Sequence, residues 1–436
     1  MHTTAPRKMT PTSKPRPEEQ WGGLPAALHW FGESLGGIVD YSLVLRNGHV
    51  IDPSQSINRV TDVAVRDGHI ADIGDALAPG LVEKDLGGKY VCPGLIDLHG
   101  HWWEGSSWGI DPDICLNHGV TTAVDAGTTG FINLPVFRKT QVSAATVRVL
   151  AFVNISAIGI PTALVGELED IRFARPLETC RVIEANRDIC VGVKIREGTM
   201  TGRHGIAAMD KALEAANSAS LPLMVHITKG AETRQILKKL RPGDIVTHCF
   251  QGRGDGILDE RDHHLLPEVT AARKDGVLFD VGHGAGAFSW DTTRKAFEYF
   301  FYPDTISTDL HRYSVVRWAF DMPSVMSKFL HMGMPLADII LKSTWAPAKA
   351  LGRGEELGTL KKGAAADVFV FELEEGSFPL EDTHLRTESA SRRIKPFLTI
   401  KDGISVEPGS YPVRLRELYE CDQDLFRFIE QTANPS

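Results

Sequence analysis

The chain has 436 residues, of which 42% are hydrophobic and 24% charged, a composition suited to one large α/β domain plus a smaller one. Its net charge of −9, from 47 basic and 56 acidic side chains with no long block of either sign, argues against nucleic acid as a partner. No apolar stretch approaches the ~18 residues needed to span a bilayer, so no membrane partner is expected.

The first twenty residues are rich in Pro, Thr and Lys and lack a signal-peptide core. They lead a disordered tail expected to run to residue 38. Residues 41–51 read as two short strands around Asn47-Gly48, and 62–73 as a second pair around Asp67-Gly68. Near the other end, 363–371 and 397–406 again read as strands with a hairpin. Two β-rich segments flanking a long middle predict a small β-sandwich domain built from 39–90 plus 354–410, with 411–436 as a C-terminal tail.

The middle, 91–353, alternates strand-like and helix-like patterns. Eight apolar strand candidates lie at 91–101, 121–127, 149–156, 191–197, 221–228, 244–250, 277–283 and 305–311, with helical patterns such as 209–218 and 231–240 between them. That is the count of a (β/α)8 TIM barrel. An open doubly wound sheet would need a Gly-rich phosphate loop after its first strand, and none is there. The six cysteines, Cys92, Cys115, Cys180, Cys190, Cys249 and Cys421, form no CxxC pair. They read as reduced thiols in a cytoplasmic protein.

Barrel active sites sit at the C-terminal ends of the strands. The first candidate strand ends in His99-Gly100-His101, where residues i and i+2 project to one face and both imidazoles can reach one metal. The fourth carries Lys194, the fifth ends at His226, the sixth at His248 and the eighth at Asp309. Taken singly, each has a plainer explanation: strand histidines are commonly hydrogen-bonded core residues, and strand lysines usually snorkel outward. Six such residues on five strands, all at one end, point to a metal site.

On these residues the sequence resembles the amidohydrolase superfamily of metal-dependent hydrolases, over roughly 41–406. The resemblance implies a binuclear centre. His99 and His101 would bind the more buried metal. Lys194, carbamylated by CO2, would bridge the two, and His226 and His248 would bind the second. Asp309 would ligate the first metal and act as general base and acid. Zinc is the expected occupant of such N/O ligands, and manganese or iron would also fit. An unmodified lysine could not bridge, since an ammonium offers only donors, so Lys194 must lose its proton before reacting with CO2. The implied reaction is attack on an amide or ester by a metal-bridging hydroxide, whose parent water is acidified toward about 7 in the best-studied zinc case.

Phrases at 124–127, 153–159, 193–197, 243–250, 279–284 and 306–311 resemble the amidohydrolase/deacetylase branch more narrowly. They imply a deacetylase of small acylated amino or hydroxy acids, and because exposed barrel helices commonly support assemblies, a homo-oligomer is expected. One departure is Ala287, where that branch usually has a serine before Phe288. A cyclic-amide hydrolase of the dihydroorotase or hydantoinase kind would use the same ligands, a deaminase would not need the lysine, and a catalytically silent scaffold would be expected to lose ligands. For substrate contacts, Arg196 shares a strand face with Lys194 and could clamp a carboxylate, or pair with Glu197 or another acid. His283 could reach the substrate carbonyl or leaving group, or be buried and hydrogen-bonded. Either Trp102 or Trp103 could wall an apolar pocket. Asp125 is expected to orient a ligand histidine from behind. Asn154 and Arg253 are weaker candidates, and His263-His264 reads as solvent-exposed.

Overall fold

The computed structural model describes residues 40–161, 166–198, 204–254 and 256–413. The tail expected at 1–38, residues 414–436 of the C-terminal one, and Cys421 lie outside them. Seven parallel strands follow one another around the barrel: Leu95–Gly100, Val120–Ala126, Arg148–Asn154, Cys190–Glu197, Leu223–Ile227, Ile245–Thr247 and Leu278–Phe279. The segment 305–310 closes the ring. It bridges Asp280 through Thr305 on one side and Gly100 through Leu310 on the other. Two backbone hydrogen bonds secure the second contact, Asp309 N to His99 O at 2.7 Å and His101 N to Leu310 O at 2.8 Å.

The ladder is thin where the seventh and eighth strands lie, and buried carboxylates stitch it. Asp280 accepts hydrogen bonds from the hydroxyls of Thr247 (2.7 Å), Thr305 (2.7 Å) and Ser307 (2.7 Å), joining three neighbouring strands. Asp97 accepts from the backbone N of Thr308 at 2.9 Å and from its hydroxyl, tying the first strand to the eighth. Burial raises the pKa of both carboxyls, that of Asp97 to about 7. Outside the strands, the helix Ile206–Ala219 buries Ala208, Met209, Ala212, Ala215, Ala216 and Ala219. These recur at helical spacing, and the five alanines among them let the helix lie close on the sheet.

The structure revises three sequence expectations. The run 91–101 is two strands: Tyr90–Pro93 pairs with Val368–Glu381 in the other sheet, and only Leu95–Gly100 enters the barrel. Pro93 has no N–H to continue a ladder. At Gly94 a Cβ would meet Thr121 at 2.2 Å, so the crossing between sheets needs a residue without a side chain. Asn47-Gly48 is not a turn but a bulge within one strand, Tyr41–Asp52, with Asn47 at φ 60°. The pattern at 231–240 yields only Thr233–Leu237 as helix, stopping short of Pro242.

Strands from both chain ends form one mixed eight-stranded sheet. Asp67-Gly68 and Asp402-Gly403 make its two-residue turns, all four residues at positive φ. Ala366 N donates to Gly68 O at 2.8 Å and Gly403 N to Ala366 O at 3.0 Å, so the sheet curls until distant strands touch. It encloses its own core of Leu43, Leu45, Val50, Val63, Val65, Val368, Val370 and Ile400. Its long hairpin, Val368–Glu381 with Thr387–Lys401, reaches back to the barrel rim. Thr383 N donates to Phe288 O there at 3.0 Å. No helix among the described residues is long and apolar enough to cross a membrane, and the five described cysteines are unpaired.

Candidate active site

At the C-terminal ends of the strands, ligand atoms of His99, His248 and Asp309 lie within 4.8 Å of one another. Asp309 Oδ1 is 3.4 Å from His99 Nε2 and 3.2 Å from His101 Nε2. Lys194 Nζ stands 3.5 Å from His99 Nε2, and the rings of His226 and His248 meet edge to face at 4.1 Å. The fold therefore brings all six sequence-predicted ligand residues into one cluster. Asp309 and His248 occupy it from the left-handed region, at φ 48° and 68°, a conformation that Asp and His adopt more readily than most residues.

Hydrogen bonds behind the rings set which nitrogen faces the centre. The Nδ1 of His248 lies 2.6 Å from the Gly282 carbonyl. A carbonyl can only accept, so Nδ1 carries the proton and Nε2 presents a lone pair. Around His99 the logic runs through one more atom. Thr247 gives its hydroxyl proton to Asp280, so its oxygen accepts from His99 Nδ1 at 2.8 Å and again leaves Nε2 free. His101 Nδ1 meets the Thr128 hydroxyl at 2.7 Å.

The donor set suits a metal on grounds independent of residue type. His248 Nε2 and Asp309 Oδ1 are buried and have no hydrogen-bond partner, which is costly unless something electrophilic engages them. Burial pushes the imidazole pKa values down, to about 3 for His101, about 4 for His248 and well below the usual range for His99 and His226. Near pH 7 all four are neutral and able to donate a lone pair. Lys194 is fully buried with Met224 Sδ at 3.4 Å. Burial lowers its pKa to about 7, so a free amine is accessible there at neutral pH.

Thr247 offers a direct test. Thr247→Val keeps the shape, strands the His99 Nδ1 proton and removes one of the three hydroxyls that Asp280 accepts from. Metal affinity measured by calorimetry should fall about tenfold to a hundredfold, as for other partners behind metal-binding histidines. Unchanged affinity would mean the relay does not orient His99.

The expected substrate contacts fare differently. Arg196 is spent on Glu167, with Nε to Oε1 at 2.7 Å and Nη2 to Oε2 at 3.0 Å, and Glu167 is fully buried. The alternative of an ion pair with another acid describes it, and the acid is not Glu197. His283 does not offer a ring nitrogen to the centre. Its Nδ1 faces Gly284 O at 3.0 Å and its Nε2 faces Lys328 Nζ at 2.7 Å. Trp102 is core: it is wholly buried and donates from Nε1 to Val124 O at 3.1 Å. Asp125 acts on the backbone and not on a ring, accepting from Trp102 N at 3.0 Å and Thr128 N at 2.7 Å. It thereby places Thr128, which touches His101. Asn154 donates to Gly127 O at 3.0 Å, and Arg253 to Thr383 O at 3.2 Å. His263 and His264 are exposed.

Sequence reading missed Thr247, Asp280, Trp108 and His311. Trp108 packs edge-on against His311 at 4.7 Å and against Tyr313 at 5.5 Å. His311 accepts from Tyr313 N at its Nδ1 (3.2 Å), which leaves the proton on Nε2. Burial lowers its pKa to about 4. His311 falls two residues beyond Asp309, a spacing that could have flagged it. Trp108 lies in a loop and carries no such signal.

Comparison with known proteins gives consistent likenesses. Residues 90–404 match the amidohydrolase family. A deacetylase of Brucella anthropi is 34% identical over 369 residues, covering 82% of this chain and 90% of that protein. A crystal structure described as an adenine deaminase superimposes with TM-score 0.78 at 31% identity, over 84% of this chain and 100% of that one. Another, described as a dihydroorotase, gives TM-score 0.79 at 30% identity, over 85% and 99%.

Proposed function

The chain belongs to the amidohydrolase family and is a deacetylase-like hydrolase of carbon–nitrogen bonds, and from that premise we propose that it deacylates a small acylated amino or hydroxy acid with two divalent cations. The observation that carries this reading is the pair of buried, unpartnered atoms, His248 Nε2 and Asp309 Oδ1, gathered beside His99. In it, His99, His101 and Asp309 would hold one cation, His226 and His248 the other, and Lys194 would serve both. When bound, zinc, manganese or iron would acidify a water and polarise the scissile carbonyl.

This chain's residues do the rest. The free amine of Lys194 adds to CO2, forming an N–C bond and releasing one proton, so a buried donor becomes an anionic oxygen ligand. Asp309 accepts a proton from the attacking water at its carboxylate and returns it to the leaving nitrogen or oxygen. The lowered pKa values of the imidazoles make them poor competitors for that proton. The five described cysteines, all unpaired, fit a cytoplasmic enzyme.

A second reading, hydrolysis of a cyclic amide, draws support from the likeness to the dihydroorotase structure. One screen separates them. Metal-reconstituted protein is assayed on N-acetyl and O-acetyl acids of both chiralities beside dihydroorotate and hydantoins. Turnover of acetylated acids that is lost on chelation and regained with zinc or manganese is expected. Turnover of the cyclic amides alone would overturn the deacylase reading.

A further inference from the structure

We propose that Lys328 is a positioning residue for the active site: from the helix Met322–His331 it holds the His283 imidazole, and through it the glycine turn 282–284 that backs His248 and Asp309. Lys328 is 1% exposed. Its Nζ lies 2.7 Å from His283 Nε2, 2.9 Å from Trp318 O and 2.6 Å from Glu381 O.

The proton count is determined by these partners. Two are carbonyls and only accept. His283 Nδ1 faces a third carbonyl, that of Gly284, so Nδ1 carries the ring proton and Nε2 must accept as well. Three acceptors use the three protons of an ammonium. Among the described residues no carboxylate forms an ion pair with it. Burial lowers its pKa to about 7, and Asp382 and Glu381 favour the cation only from a distance, so placing an ammonium here is costly. A methionine would fill the same space without that cost. What the ammonium adds is a fixed place and tautomer for His283, whose ring stacks on Phe288 at 4.7 Å and 17°.

The residues on either side of His283 connect it to the centre. Gly282 and Gly284 sit at φ 49° and 53°, in the left-handed region that favours glycine. Gly282 O sets the His248 tautomer at 2.6 Å. Gly284 N donates to Thr308 O at 2.8 Å, and its Cα is so close to the base that a Cβ would lie 2.3 Å from Asp309 Oδ2. A shift of the turn therefore moves the support of one ligand and the wall of the general base together. A misplacement of about 1 Å can cost as much as a hundredfold in rate. Because Glu381 ends a strand of the small domain's hairpin, the same lysine links that domain to the turn.

The kinetic consequence rests on the active-site reading above, whereas the state of the His283 ring does not. The experiment is Lys328→Met in the full chain, read by ¹⁵N NMR of the ring nitrogens, by metal content and by kinetics. Wild type should show His283 protonated at Nδ1 with Nε2 accepting, and the variant should lose that pattern. Its kcat, compared at full metal loading, should fall about tenfold to a hundredfold, with KM within about threefold. A folded variant that keeps both the His283 pattern and kcat would overturn the proposal, as would a loss of thermal stability alone. If Lys328→Met does not fold, His283→Phe leaves the lysine its two carbonyls and must show the same kcat loss. Retained kcat there also overturns it. Wild-type protein inactive on every substrate, but with the expected ring pattern, would count against the proposed function and not against the role of Lys328.

Discussion

Replacing Asp309 with asparagine should lower kcat by about three orders of magnitude, within the range that a positioned general base contributes, and leave the fold intact. Asparagine is isosteric and tolerates the left-handed backbone at this position, φ 48°, as well as aspartate does. The hydrogen bonds from Asp309 N to His99 O and from Ser314 Oγ to Asp309 O involve only backbone atoms of Asp309 and persist. What changes is the chemistry of the side chain beside His99 Nε2 and His101 Nε2. A carboxylate there can take and return a proton, and an amide cannot. An amide also directs N–H bonds at nitrogens whose lone pairs the hydrogen bonds behind the rings have freed. The measurement is kcat and KM on the best substrate from the screen, with bound metal counted. Retention of a tenth or more of wild-type kcat would remove Asp309 from proton transfer.

Lys194→Ala should be nearly inactive and bind less metal, and short carboxylic acids should restore part of both. The residue is fully buried, with its Nζ 3.4 Å from Met224 Sδ and 3.5 Å from His99 Nε2. A small carboxylate in the vacated space would supply the anionic oxygens that the proposed carbamate on Lys194 would supply. Full activity and undiminished metal in the variant would show that Lys194 bridges nothing. The same lysine predicts a pH dependence for CO2-free, metal-free protein. Its native pKa is lowered from 10.5 to about 7. Between those values the unfolded chain holds a proton that the native chain has shed. Stability should therefore rise with pH across that window, by up to ~1.4 kcal/mol per pH unit from this group. Below about pH 7 both states are protonated and the slope from Lys194 disappears. Denaturant unfolding at several pH values should show that slope in wild type and not in Lys194→Ala.

The gathering of the histidines, the lysine and the aspartate at one rim was legible in sequence because barrel chemistry is periodic. His99, Lys194, His226, His248 and Asp309 each end or interrupt an apolar strand, and strands of a parallel barrel deliver such residues to one rim. The substrate contacts were not legible for the opposite reason. Sequence left Arg196 open between a substrate clamp and an ion pair, because the acid it pairs with, Glu167, is remote in sequence. Trp102 looked like a pocket wall because it follows His101, yet the chain turns there and buries it under Asp125 and Val124. His283 stood where a substrate contact would be expected, and the lysine that claims its Nε2 arrives from a helix forty-five positions later.

The sequence by itself determined the barrel, the small β domain shared between the chain ends, and the family to which the strand-end residues point, since these follow from local periodicity and the chemistry of side chains at fixed strand positions. Only the tertiary structure decided how the ring nitrogens are turned and which charged groups are already paired. It also showed that Asp280, Thr247 and Lys328 stand behind the centre. Those facts depend on hydrogen-bond partners far apart in the chain, and no local pattern encodes a partner that is met only when the barrel closes.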